Sequence, residues 1–71
     1  MEENMQAICD ALCTALQLTR DQADLQRIRY EEVVPGEQQV VLDYEGDYHR
    51  SVNVSLDSGI AMIRDILRAL W

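Results

Sequence analysis

Few side chains in this sequence could do chemistry: one histidine, two cysteines and a group of acids around a glycine. Nucleophilic catalysis needs a Ser or Cys activated by a base, usually His, with a third group to orient it. His49 is the only candidate base, and the alternation around it places it on the solvent face of a strand, as a surface residue. Cys9 and Cys13 stand four apart in a helical pattern, where side chains share a face but the geometry does not suit a disulfide. Without Cys-x-x-Cys spacing or a second Cys or His pair they read as small core residues with free thiols. Asp43-Tyr44-Glu45-Gly46-Asp47 lacks the ligand spacing and terminal glutamate of a calcium loop, so it reads as a hairpin turn with solvated acids. Ser58-Gly59 opens a helix, but Asp57 beside it would repel an anion, and capping is the simpler role. The expectation is a protein with no catalytic residue, no metal site and no cofactor.

The elements that position these residues follow from periodicity. Met5, Ile8, Cys9, Leu12, Cys13 and Leu16 recur at helical spacing, predicting a helix over 2–18 with Glu2 and Glu3 at its positive end. Thr19-Arg20-Asp21-Gln22 fits a capping box and a short helical turn. Period-two alternation then predicts strands over 26–33, 38–45 and 48–55, although Leu25, Ile28 and Glu32 would also share a helix face. Pro35-Gly36 suits the centre of a type II turn, and Glu45-Gly46-Asp47 turns the chain again. A last helix over 58–70, capped by Asp57 or Ser58, would bury Ile60, Ile63, Ile66, Leu67 and Leu70.

The result is a single α+β domain over residues 1–71 in the order α-β-β-β-α: a three-stranded antiparallel sheet with two helices packed on one face. Leu12, Leu16, Ile28, Leu42, Val52, Val54, Ile63 and Ile66 are expected in one core. The open face would carry Arg27, Arg29, Gln39, Val41, Asp43, His49, Ser51 and Asn53.

Charge narrows function. Thirteen acids against six basic residues, all Arg, leave a net charge of −7 and no basic patch. Direct binding to nucleic acid or anionic lipid is therefore not expected. No secretory leader pattern or long apolar run is present, so the expected compartment is the cytoplasm. Glu31, Glu32, Glu37, Asp43, Glu45 and Asp47 fall in a window without a basic residue. Beyond keeping sheet edges apart, such acids could mimic a row of phosphates, with a basic nucleic-acid-binding protein as partner. The alternative is an apolar interface including Val41, Tyr44, Tyr48 and Trp71, through which a small domain homodimerises.

In element order and length the chain resembles the double-stranded RNA-binding domain. That family clamps phosphates with lysines at the start of its second helix, and Asp57-Ser58-Gly59-Ile60-Ala61-Met62 has none, so the likeness implies topology and not RNA binding. The stretch from Val52 to Leu67 resembles small uncharacterised proteins of phage and conjugative elements of Gram-positive bacteria. That resemblance implies a mobile-element setting, where small acidic inhibitors such as anti-CRISPRs disable nucleic-acid-binding defences.

Overall fold

A computed structural model describes residues 3–71. Helix α1 spans Met5–Gln17, and its first turn is capped by Asn4, whose side chain accepts the Ala7 N–H at 3.0 Å. The helix starts three residues later than the 2–18 expected because Glu3 serves a different end of the molecule. Its carboxylate accepts the N–H of Gly59, in the first turn of the last helix, at 2.9 Å. Glu2, expected beside it at the start of the first helix, lies outside the described residues. Thr19 Oγ1 accepts the Gln22 N–H at 3.2 Å as a capping box would, yet the segment remains a turn. The Gln22 side chain instead accepts the Tyr44 hydroxyl.

Three strands follow: β1 Leu25–Val34, β2 Glu37–Tyr44 and β3 Tyr48–Asn53, all antiparallel in the order β1-β2-β3. Pro35 and Gly36 close the first hairpin, and Gly36 takes the positive φ of 87° that a type II turn demands of its second central residue. The 3-10 turn Glu45–Asp47 closes the second, with Gly46 at φ 77°. Ile28 faces Leu42 and Tyr30 faces Val40 across the first pair of strands; Val40 faces Val52 across the second. Alternation sends Ile28, Val40, Leu42 and Tyr44 to the helix side, where Cys9, Cys13, Leu25, Val54, Met62 and Ile66 complete one core.

Helix α2, Gly59–Leu70, is capped by Ser58, whose hydroxyl accepts the Ala61 N–H at 3.2 Å. Both helices lie on the same side of the sheet, and Cys9 Sγ approaches Met62 Sδ to 3.9 Å between them. The rotation of α2 corrects the expected stripe. Its buried residues are Gly59, Met62 and Ile66, whereas Ile60 is 77% exposed, Leu67 is 43% exposed and Ile63 is only half-buried. Close approach to α1 is the reason. Gly59 sits against Glu3 and the Ile8 Cδ1 atom, where a Cβ would crowd both, and that contact brings Met62 onto Cys9.

Candidate functional site

The open face of the sheet is organised around Asp43. This residue lies on β2, facing Arg27 of β1 and His49 of β3. Its side chain is only 10% exposed. Four donors meet its two oxygens: Arg29 Nε at 2.7 Å and Arg27 Nε at 3.2 Å on Oδ2, and Arg29 Nη2 at 3.1 Å and His49 Nδ1 at 2.7 Å on Oδ1. The Arg29 hydrogen bonds lead, joined by those from His49 and Arg27, and hold the Asp43 carboxyl well below the ordinary carboxylate range. An ionised carboxylate can only accept, so His49 Nδ1 is the donor in this contact.

These residues line a polar concavity of about 580 Å³ together with Gln26, Tyr44, Gly46 and Asp47. No serine, threonine or cysteine is among the lining residues. Among the described residues no group of three or more His, Cys, Asp or Glu could hold a metal ion.

Where the six window acids fall bears directly on mimicry. Asp43 is neutralised on the central strand, one residue before that strand ends. Glu31 accepts from Arg29 Nη1 at 2.8 Å and Gln39 Nε2 at 3.1 Å, and Glu32 accepts from Gln38 Nε2 at 2.9 Å. Glu37, Glu45 and Asp47 are exposed and have no side-chain hydrogen bond to the other described residues. Glu37 and Glu45 stand eight residue steps apart along β2, roughly 27 Å at 3.4 Å per residue. The window thus leaves exposed acids at both ends of the sheet, with the paired Asp43 beside Glu45 and Asp47 at one of them.

The alternative apolar set is also dispersed. Val41 is buried on the open face, and Tyr44 is buried on the opposite, helix side. Tyr48 is exposed, its ring 5.5 Å from that of Tyr44. Trp71 is fully exposed at the end of α2. What Trp71 joins is a stripe that periodicity did not single out. Ile60, Ile63, Leu67 and Trp71 stand three, four and four residues apart, on the side of α2 turned away from Met62 and Ile66. Ile63, Leu67 and Trp71 line a groove of about 520 Å³ rimmed by Arg64 and Arg68. A smaller groove of about 280 Å³ runs from Leu67, Leu70 and Trp71 to Leu16 and Thr19 at the end of α1. One sequence signal was available: Ile60, Met62, Ile63, Ile66, Leu67 and Leu70 are more apolar residues than one face of a twelve-residue helix holds.

The remaining titratable groups are structural. Burial pushes the Cys9 thiol up to about 11, and burial raises Cys13 as well, so neither is a ready nucleophile. The neighbouring Asp65 carboxyl, with burial, raises Asp57, and Asp65 itself is lowered.

No described helix is long and apolar enough to cross a membrane. The chain matches no protein-family model, no curated protein and no solved structure.

Proposed function

We propose that this chain is a non-enzymatic protein-binding domain, of inhibitor or adaptor type, that works in the cytoplasm and meets its partner through the outer face of α2. The observation that carries this is the stripe of Ile60, Ile63, Leu67 and the fully exposed Trp71. Apolar side chains of this size each contribute about 1.5–3 kcal/mol when taken fully out of water. Large apolar groups clustered on one helix of a charged surface mark interaction sites. The Asp43 cluster supports a scaffolding role instead, since four donors from two neighbouring strands converge on its one carboxylate.

Acidity retains a second role. Glu37, Glu45 and Asp47 project unpaired from both ends of the sheet, and with a net charge of −7 they would steer the domain toward a basic partner such as a nucleic-acid-handling protein. The two contributions separate experimentally. A bait carrying Leu67→Glu and Trp71→Ala should lose a specifically captured partner, whereas Glu37→Gln, Glu45→Gln and Asp47→Asn together should slow capture and reduce its salt dependence without abolishing it. Loss of the partner with the amide variant and retention with the α2 variant would return the contact to the acids.

A further inference from the structure

The two edges of the sheet are treated differently. On β1, α1 reaches backbone groups that point away from β2 over the first part of the strand: Gln6 Nε2 donates to the Ile28 carbonyl at 2.9 Å, and Gln6 Oε1 accepts the Tyr30 N–H at 2.8 Å. Gln17 Nε2 likewise donates to the Leu25 carbonyl at 2.9 Å. Two glutamines of α1 thus imitate the missing neighbouring strand, and no further strand can add there without displacing the helix.

On β3 no such cover exists among the described residues. Val54 donates its N–H to the Gln38 carbonyl at 3.0 Å, and the unbroken register continues through Val52 opposite Val40 and Arg50 opposite Leu42. Antiparallel alternation therefore turns the N–H and C=O groups of Val52 and Arg50 inward and those of His49, Ser51 and Asn53 outward. None of these three residues has a described backbone hydrogen bond on that side, and all three are exposed. β3 has no proline, no lysine and no bulge, and its one formally charged residue, Arg50, lies opposite Leu42.

From this asymmetry we infer that β3 is an interface for a second copy of this chain, pairing antiparallel about a two-fold axis at Ser51 to make one continuous six-stranded sheet. The occupant is argued from three features. With β1 covered by Gln6 and Gln17 over Leu25–Tyr30 and irregular in register beyond Glu32, the longest regular open edge among the described residues is β3, so a second copy meets it through its own β3 and the contact is isologous and closes at two. The Ser51-centred register sets outward-pointing residues against each other: His49 with Asn53 of the second copy, Ser51 with its equivalent, and Asn53 with His49. That same register places Arg50 opposite Val52 of the second copy and brings no acid into the joint, despite the charge of −7 on each chain. The inference is independent of the α2 surface, which this pairing does not use.

Sedimentation equilibrium from low to high micromolar concentration tests it, with amide hydrogen exchange as a second readout. Wild type should be a concentration-dependent dimer, with the amides of His49, Ser51 and Asn53 exchanging more slowly as the dimer fills. Ser51→Pro removes only an outward N–H, a change an edge strand tolerates, and should weaken dimerisation at least tenfold. Should circular dichroism show that Ser51→Pro fails to fold, Ser51→Lys supplies the same test by placing a charge at the two-fold. A wild-type chain monomeric at every concentration overturns the inference. So does a dimer unaffected in the folded Ser51 variants; if Leu67→Glu dissociates such a dimer, the copies meet through α2 instead.

Discussion

Replacing Asp43 with Asn removes one negative charge from beneath four donors on three residues. The amide keeps the shape of the carboxylate but turns an N–H₂ toward either the Arg27 and Arg29 Nε atoms or the Arg29 Nη2 and His49 Nδ1 atoms. At least one of the four hydrogen bonds is lost, two where His49 Nδ1 stays a donor, and a hydrogen bond to a charged group contributes about 1.5–3 kcal/mol. Breaking a fully buried ion pair costs about 3–5 kcal/mol, but Arg29 is 33% and Arg27 65% exposed in their side chains, so water recovers part of the loss. The expected cost is about 2–3 kcal/mol at neutral pH, or roughly 10–20 °C in Tm for a domain of this size.

The pH dependence has a definite sign. The folded-state pKa of Asp43 is depressed, so its stabilisation is present above the unfolded value, about 4, and declines as the pH falls toward the folded value. Asn cannot titrate, so the gap between wild type and Asp43→Asn should be full above about pH 5 and narrow steadily below about pH 4. Urea unfolding at a series of pH values measures both quantities. A cost below half a kcal/mol at neutral pH, or a gap that does not change with acid, would refute the role given to Asp43.

Ile66→Ala should cost about 2–5 kcal/mol because Ile66 is fully buried, and Ile63→Ala distinctly less because its side chain lines the surface groove; paired chemical denaturation ranks the two. Leu56 sits at φ 63° with its side chain 90% exposed, so Leu56→Gly should raise stability by about 0.5–1 kcal/mol, read as a higher urea midpoint. Cys9 and Cys13 should resist alkylation in the native protein at pH 8 and react fully once unfolded, as a timed mass-spectrometric assay would show.

How much was legible in the sequence depended on whether a residue's neighbours were local. Alternation along Gln38–Tyr44 identified the core side of β2, and Pro35-Gly36 marked its hairpin, because both signals are carried by adjacent residues. The start of α1 was misplaced because Glu3 is committed to Gly59, fifty-six residues away. Asp43 looked like one more solvated acid, since its window holds no basic residue. Only the strand register shows that Arg27, Arg29 and His49 close over it. The face of α2 was misassigned for another reason: with apolar residues most of the way round, several rotations satisfy the same periodicity, and the contact between Gly59 and α1 selects one.

Trp71 is the sole tryptophan and is fully exposed, so its fluorescence reports directly on the surface proposed to bind. Emission should be that of a hydrated indole in the free protein and should shift to the blue, with reduced quenching by acrylamide, as a tryptophan-free preparation of the captured partner is added. A partner that binds, by an independent measure, while the Trp71 emission and quenching stay unchanged would contradict recognition through α2.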